Sequence, residues 1–254
     1  MILLELANKI VEETLKAKLK QTKQTGIDMT CADFDGVQYH VYTTQGNKAE
    51  LNVSISIKCF QELKQYGADA KAKSIYGPLI VDTEPGYDVT VRIDLNSLPQ
   101  NPEKVCTDIA MMKTHLYSAP FEHAFDVLTK GGTIDQPICI PFRAMTDEKV
   151  YIKTSGNDRV QVIFTINFKD KDDIVIGKVF LNEFKRSIGG APSVDFSQRE
   201  APMELRSAGV TADGFVTFVL FKRHFEGNKR FKTVNILQTF RNYLHYHIKC
   251  SKSH

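Results

Sequence analysis

The side chains best suited to binding a metal lie near the end of the sequence, at His245, His247 and Cys250. Two helical residues two positions apart point about 200° away from each other, so His245 and His247 cannot share a metal ion. His247 and Cys250 would face one side of a helix, but a zinc site needs two further ligands from elsewhere. A packed or solvent-exposed helix is the better interpretation, and we expect no metal site and no cofactor.

Two acidic segments also allow a chemical interpretation. The run Lys169-Asp-Lys-Asp-Asp173 could hold a cation in a loop, but such runs more often form a solvated turn before a helix, whose N-terminus favours carboxylates. Asp33-Phe-Asp-Gly36 shares three letters with a metal-binding tripeptide of protein kinases, yet the glycine-rich and catalytic-loop motifs of kinases do not occur. Because Asp-Gly is common turn chemistry, we predict a hairpin turn there.

Motifs of catalysis do not occur elsewhere in the sequence. Neither G-x-x-x-x-G-K-[ST] nor G-x-G-x-x-G is present, so nucleotide binding by those loops is excluded. No serine or cysteine stands out as a nucleophile beside a histidine and an orienting acid. A dispersed active site stays open, but the sequence predicts a protein that is not an enzyme.

Cysteine usage and hydrophobicity indicate the compartment. The five cysteines are odd in number, scattered and never in a Cys-x-x-Cys spacing, which fits free thiols in a reducing compartment. The apolar start is interrupted by Glu5, lacks a basic segment, and predicts a helix and not a signal peptide. No stretch approaches the roughly 18 apolar residues of a membrane span. We therefore expect a soluble, cytoplasmic protein.

The net charge of +3 hides an uneven distribution. From Lys222 onward the sequence has eight basic residues and one acid, Glu226, which leaves 25 of the 33 basic and 29 of the 30 acidic residues in the preceding part. A mildly acidic body therefore carries a basic C-terminal segment. Charge asymmetry of this kind usually indicates an interaction partner.

The elements that position these residues occur in an order that repeats. In the first half, hydrophobic periodicity and turn signals predict a helix over 2–22, strands at 29–34, 37–43 and 49–57, a helix over 59–72, strands at 78–81 and 87–95, and a helix over 103–116. After Pro120 they predict a helix over 121–128, strands at 137–144, 149–154 and 159–168, a helix over 175–186, strands at 193–196 and 215–221, and a helix from 233.

This order predicts an α+β fold built from two tandem α-β3-α-β2-α domains, residues 1–119 and 120–254. Each would have an antiparallel-rich sheet with helices on one face, and the second would include the C-terminal amphipathic helix. A tandem duplication of about 120 residues explains the repeat. Two unrelated α+β segments remain the alternative.

The last helix carries two stripes. Apolar residues recur at spacings of three and four and predict a packing face: Ile236, Phe240, Tyr243, Leu244, His247 and Ile248. Arg241, His245, Lys249 and Lys252 form a basic stripe, which either solvates the outer face or contacts an acidic partner. With the cations at 222–232, an acidic partner is favoured. Nucleic acid, anionic lipid and an acidic protein such as a filament all remain open.

Several segments resemble those of a known family. Ala32-Asp-Phe-Asp-Gly36, Val53-Ser-Ile-Ser-Ile57, Ile176-Gly-Lys-Val-Phe180 and above all Tyr243-Leu-His-Tyr-His-Ile-Lys-Cys-Ser-Lys252 are similar to segments of the subunit 2 family of the actin-related protein 2/3 complex. The resemblance spans essentially the whole chain in order. It implies two α-β3-α-β2-α domains, which agrees with the order of elements.

The resemblance also implies a function and its residues. It implies a non-enzymatic scaffold that pairs with subunit 4, supports the actin-related subunits, and contacts the side of an actin filament from which a branch grows. The apolar stripe would then form a partner-subunit interface or pack on its own domain, and filament contacts would come from Lys71, Lys73, Lys222, Arg223, Arg241, Lys249 and Lys252. In the family the last helix continues into a basic extension, which we expect this chain to lack. Nucleic-acid or anionic-lipid binding by the same helix is the alternative function.

Overall fold

The computed structural model describes residues 4–187, 192–198 and 200–253; the side chains of Ala144 and of residues 182–187 are outside this description. The chain divides into two compact units, residues 1–119 and 120–254. Each contains an antiparallel sheet, one of four strands and one of five, accompanied by helices. The predicted α+β fold with two antiparallel sheets and a C-terminal helix is confirmed.

The sheet of the first unit is a meander. Its strands follow each other in space as in sequence, and all pairs are antiparallel: β1 (Asp28–Ala32), β2 (Gln38–Thr44), β3 (Asn47–Ser56) and β4 (Val89–Asp94). Alternate residues of β3, Leu51, Val53 and Ile55, are fully buried, as the period of two in a strand requires. Asp33-Phe-Asp-Gly36 forms the turn between β1 and β2, with Asp35 and Gly36 at positive φ.

Five helices complete the first unit: α1 (Lys9–Leu19), α2 (Phe60–Lys64), α3 (Ala68–Tyr76), α4 (Pro102–Ala110) and α5 (Met112–Tyr117). The predicted start of the first helix at residue 2 is wrong over residues 4–8, and residues 1–3 lie outside the described part. The helix begins where Asn8 accepts a hydrogen bond from the Val11 N–H, 3.1 Å from Oδ1, and so satisfies one free donor of the first turn.

Two predicted helices of this unit are each divided in two. Gly67 adopts a φ of 95°, which no helical residue has, and therefore separates α2 from α3. Met111, at φ −90° and ψ 8°, separates α4 from α5. The predicted strand at 78–81 is also wrong: Gly77–Leu79 form a 3-10 turn, and only Ile80 bridges to Val91. Pro78 has no N–H to donate to a ladder, which explains the short pairing.

The second unit has a five-stranded sheet with one crossover. Its strands are β5 (Ile138–Arg143), β6 (Glu148–Ser155), β7 (Arg159–Ile166), β8 (Ser193–Gln198) and β9 (Gly214–Phe221). They lie in the order β5-β6-β7-β9-β8, and every pair is antiparallel. β9 is thus inserted between β7 and β8, and β7 is a central strand whose residues are nearly all buried.

The helices of the second unit are α6 (Ala119–Thr129), α7 (Lys171–Ser187), α8 (Met203–Arg206), α9 (Lys222–Phe225) and α10 (Lys229–Lys252). The two short helices, α8 and α9, were not expected from the sequence. The predicted helix from 233 begins one turn earlier, at Lys229. Four aromatic rings join α10 to the sheet, with centroids 4.9–5.9 Å apart: Phe142, Phe164, Phe218 and Phe240. The opposite face of the sheet packs Tyr151, Ile163 and Phe215 around Leu205 of α8.

Candidate interaction surface on the last helix

The apolar stripe of α10 is mostly used by its own unit. Phe240 and Leu244 are completely buried and Ile248 is 6% exposed. The predicted interface with a partner subunit is therefore corrected for these three residues, because their surface is already covered. Ile236, Tyr243 and His247 are half-buried and remain accessible in part. The His247 ring lies 4.5 Å from that of Phe180 on α7, so it too packs within the unit.

Arg241 does not belong to an exposed basic stripe. Its side chain is 5% exposed, and it donates from Nη2 to Glu148 Oε1 at 2.6 Å and from Nε to Glu148 Oε2 at 2.9 Å. Glu148, at the start of β6, is completely buried. The prediction that Arg241 faces an acidic partner is therefore corrected: this cation neutralises a buried carboxylate of its own sheet.

The exposed end of α10 is tied to α7. Lys252 Nζ donates to Asp170 Oδ2 at 2.6 Å and also pairs with Asp173. The Lys252 ammonium, aided by the N–H of Asp173, holds the pKa of Asp170 below its usual range. Asp170 also accepts from the Asp173 N–H at 3.0 Å, at the N-terminus of α7. The acidic run thus caps α7, as the sequence favoured, and the cation that pairs with it is the side chain of Lys252.

Lys249 and Lys252 are the exposed cations of the stripe, and Lys249 lies one turn from His245, which is half-buried. Burial lowers the pKa of His245, and the positive charges of Arg241, Lys249, Arg143 and Lys169 lower it further. Five basic side chains from α10, β5 and the segment before α7 therefore surround one another. This geometry concentrates positive potential at the end of the helix.

The cations before α10 are arranged around an aromatic ring. The guanidinium groups of Arg159 and Arg223 each lie 5.0 Å from the ring centre of Phe221, a cation–π distance. Arg223 is exposed and Lys222 is half-buried, so both predicted filament contacts reach solvent. Arg159 was not predicted, and its only sequence signal is its position at the start of a strand.

The two remaining predicted contacts lie on α3 of the first unit. Lys73 is exposed and Lys71 is half-buried. Both belong to the first unit, whereas the cations of α9 and α10 belong to the second.

Sequence reasoning missed two cations beside the basic stripe. Arg143, at the end of β5, and Lys169, after β7, line a cavity of about 140 Å³ together with residues of α10. Neither is near α10 in the sequence, so helical periodicity could not group them with it. The charge of Lys169 was visible, but only as part of an acidic run.

Neither a metal cluster nor a membrane-spanning helix occurs among the described residues. Over 4–187, 192–198 and 200–253 no three His, Cys, Asp or Glu side chains are placed to hold a metal ion. None of the helices in that part of the chain is long and apolar enough to cross a membrane.

Comparisons with known proteins match nearly the whole chain. A family model described as "Arp2/3 complex, 34 kD subunit p34-Arc" matches residues 53–254. A protein of Dictyostelium discoideum named "Actin-related protein 2/3 complex subunit 2" is 38% identical over 263 residues, covering 100% of this chain and 87% of its own. A protein of the same name from Schizosaccharomyces pombe is 35% identical over 283 residues, covering 100% of this chain and 88% of its own.

Proposed function

The chain belongs to the p34-Arc family, the 34 kD subunits of the Arp2/3 complex, and from this premise we propose that it is a non-enzymatic scaffold subunit of that complex. In this proposal the chain pairs with subunit 4, supports the two actin-related subunits, and contacts the side of an actin filament. It acts in the cytoplasm, on branched actin. The observation that carries the proposal is the 35–38% identity along the whole chain to two proteins named as subunit 2.

The buried thiols and phenols support a scaffold more than an enzyme. Burial raises the pKa of Cys59 and of Cys106 to about 11, so both are neutral thiols near pH 7 and poor nucleophiles. The Tyr39 hydroxyl donates to the Ala110 carbonyl at 3.4 Å and accepts from the Lys113 N–H at 3.0 Å. The Tyr39 hydroxyl therefore connects the sheet to the helices and has a structural role.

Filament contact would use cations that reach solvent. The proposed contacts are Lys73 and Lys71 on α3, Arg223 and Lys222 on α9, and Lys249 and Lys252 on α10. Actin filaments are acidic, and complementary charge between two surfaces mainly raises the association rate and makes binding sensitive to salt. Arg241 is left out of this set because its charge is used by Glu148.

Contact with subunit 4 would use the half-buried side of α10 and the neighbouring helix. Ile236, Tyr243 and His247 retain accessible surface on α10. On α7, Val175 and Val179 are 62% and 59% exposed and lie one turn apart. Because large apolar side chains exposed in a group favour a protein contact, these residues support a partner on this side of the second unit.

Pairing is tested by co-expressing the chain with subunit 4 of the same organism and purifying through a tag on subunit 4. The proposal expects the two chains to elute together, and the double variant V175D/V179D to reduce recovery of the pair. The control is K153D on β6, which also places an aspartate in the second unit. V127D is unsuitable as a control because Val127 contacts Gly132. Wild-type chains that elute separately would contradict the assembly role.

Filament contact is tested by co-sedimentation of the purified pair with actin filaments at two salt concentrations. The proposal expects binding that weakens as salt rises, and a further loss in R223E and K249E. The matched control is K130E, an exposed lysine outside the proposed set. Equal loss of binding in K130E, or none in R223E and K249E, would contradict the assigned surface.

The alternative function as a lipid-binding helix is disfavoured by the packing of α10. Insertion into a lipid surface requires a free apolar face. Phe240 and Leu244, the centre of that face, are completely buried, and the Phe240 ring packs on Phe164 and Phe218 of the sheet. A nucleic-acid partner has no further observation in its favour beyond the cations.

A further inference from the structure

A basic cavity lies within the second unit between α10, the end of β5, the segment after β7 and the first turn of α7. Its basic lining comprises Arg143, Lys169, Arg241, His245, Lys249 and Lys252. Its volume is about 140 Å³. One water molecule needs only about 10–15 Å³ of cavity volume, so there is room for a tetrahedral oxyanion with its bound waters.

The charges around the cavity do not balance. Five permanent cations line it, and the carboxylates among them are Asp173 in the lining, Asp170 beside it and Glu148 behind Arg241. Arg241 pairs with Glu148, whereas Lys252 pairs with Asp170 and Asp173. Arg143 Nη1 is 3.7 Å from Glu148 Oε2, so Arg143 and Arg241 share one carboxylate. The lining residues themselves carry five permanent cations and one carboxylate, Asp173, and Lys169 and Lys249 are exposed at the rim.

One buried donor in the lining also lacks an acceptor. Arg241 Nη1 is buried and has no hydrogen-bond partner among the described residues. An unsatisfied buried donor costs roughly 1–3 kcal/mol and more when it is charged, so a structure keeps one only where something else accepts its hydrogen bond. A bound anion or an ordered water beside Arg241 would remove this cost. Nη1 itself has almost no accessible surface, so an anion in the cavity would accept its hydrogen bond after a small shift of the Arg241 side chain.

We propose that this cavity binds a phosphate group. The excess of cations in the lining favours an anion, and a phosphate carries more negative charge than a carboxylate. The guanidinium groups of Arg143 and Arg241 provide planar donors suited to oxyanions, and the ammonium groups of Lys169 and Lys249 provide point charges at the rim. The phosphate is either free in solution, as inorganic phosphate or a soluble ester, or part of a lipid headgroup. The proposal rests on the cavity and does not depend on the actin-related function.

His245 provides a direct reporter of an anion in the cavity. The groups facing it are Arg241 and Lys249 on its own helix, Arg143 on β5 and Lys169 before α7. Asp173 and Lys252 are the other charged residues of the lining. Burial holds the pKa of His245 below the usual range, and all four of the groups facing it are cationic and lower that pKa further. An oxyanion placed among them must raise that pKa, because a nearby negative charge favours the imidazolium.

The first experiment titrates the ring protons of histidine by NMR in the full chain, with H245Q used to assign His245. Sulfate serves as the probe because its charge is constant over this pH range, and chloride at equal ionic strength is the control. The expected result is a higher pKa of His245 in sulfate and no change at His123, which is exposed on α6. An equal effect of chloride and sulfate on His245 would overturn the proposal.

The second experiment measures affinity for inorganic phosphate in K169Q and K249Q. Each variant removes one exposed cation and keeps the fold, which circular dichroism verifies. Each is expected to weaken phosphate binding about tenfold, the equivalent of one charge-assisted hydrogen bond. K130Q removes an exposed cation outside the lining of the cavity, and it is expected to bind phosphate as the wild type does. Equal affinities in K249Q and K130Q would overturn the proposal.

A third measurement distinguishes the two sources of phosphate. The chain is sedimented with phosphatidylcholine vesicles, with or without ten per cent of a phosphoinositide. Binding only to phosphoinositide vesicles, lost in K249Q, assigns a lipid headgroup. Binding of inorganic phosphate without vesicle binding assigns a soluble phosphate. Failure of both inorganic phosphate and phosphoinositide to bind overturns the site.

Discussion

The guanidinium of Arg241 on α10 donates two hydrogen bonds to the carboxylate of Glu148 on β6, at 2.6 and 2.9 Å, across a separation of 93 residues. Glu148 Oε1 also accepts from the Asn167 N–H at 2.9 Å. The pair therefore connects the last helix to the start of β6 and to the segment that follows β7. Because both partners are buried, losing one removes most of the compensation of the other charge, and Glu148 then keeps the longer contact to Arg143.

Replacing Arg241 is expected to destabilise the second unit strongly. R241M should lower the free energy of unfolding by about 3–5 kcal/mol, since it removes two hydrogen bonds from a buried carboxylate and leaves it the longer contact to Arg143, at 3.7 Å. Urea denaturation monitored by circular dichroism measures the change. The matched control is K249M on the exposed side of the same helix, which should stay within about 0.5 kcal/mol of the wild type. The double variant R241M/E148M should be more stable than R241M, and a less stable double variant would contradict the assignment.

Acidification is expected to destabilise the chain through His224. Its Nδ1 accepts a hydrogen bond from the Phe221 N–H at 3.0 Å, and burial, with Arg223 and Lys229 nearby, lowers its pKa. The unfolded chain therefore takes up a proton near pH 6.5 while the folded chain does not, so stability is present above pH 6.5 and falls as pH drops below it. Protonation would also put a hydrogen on His224 Nδ1, so that this atom could no longer accept from the Phe221 N–H.

The measurement is the melting temperature at pH 7.5 and pH 5.5. The H224Q variant keeps an acceptor but cannot titrate, so it should melt with a smaller difference between the two pH values. H245Q should act in the same direction, because burial also lowers the pKa of His245. H123Q, at an exposed position, should leave the difference unchanged. An undiminished difference in the double variant H224Q/H245Q would refute this account.

Gly214 is expected to tolerate no side chain. A Cβ at this position, the first of β9, would lie 2.7 Å from Phe196 Cε2 and 3.3 Å from Phe168 Cε2. G214A should therefore cost about 1–3 kcal/mol through overpacking. G26A is the control because its Cβ would lie 3.7 Å from the nearest atom, an ordinary contact. Equal urea midpoints for the two variants would show that the Phe196 ring moves aside.

Removing Lys252 is expected to change the titration of Asp170. The Lys252 ammonium is the largest cause of the lowered pKa of Asp170, followed by the N–H of Asp173. K252Q should therefore raise that pKa toward the ordinary range without fully restoring it, as carboxyl ¹³C NMR would show. Stability gained from Asp170 is present above the unfolded pKa and lost as pH falls through the folded one, so K252Q should reduce acid sensitivity. K130Q is the control, and an unchanged Asp170 titration in K252Q would exclude the pair in solution.

Most of the fold was predictable because its strands alternate and its helices have a clear apolar period. β2, β3, β7 and β9 lie within about two residues of their predicted positions at each end. The errors have local causes: the backbone of Gly67 at positive φ interrupts a helix whose apolar pattern continues, and Pro78 prevents a short run from pairing as a strand. Neither effect changes the hydrophobic period that the prediction used.

The interaction surface was less predictable, because periodicity shows where a residue points but not what it meets. Arg241 and Lys249 belong to the same stripe, yet Arg241 is buried in a pair with Glu148, 93 residues away, whereas Lys249 is exposed. Phe240 and Leu244 were predicted to pack and both are buried, but the rings that Phe240 contacts belong to the sheet of its own unit. A sequence contains no signal of such a distant pairing until the strands are placed.

The position of β9 between β7 and β8 has a consequence for synthesis on the ribosome. In the first unit each strand pairs with the strand made just before it, so the sheet can form as the chain emerges. β7 must wait for β9, about fifty residues later, which takes about 3–10 s at the usual elongation rates. Meanwhile β7 presents an apolar edge with unpaired N–H and C=O groups, the kind of edge that aggregates. The nascent second unit is therefore the part of the chain that most needs a chaperone.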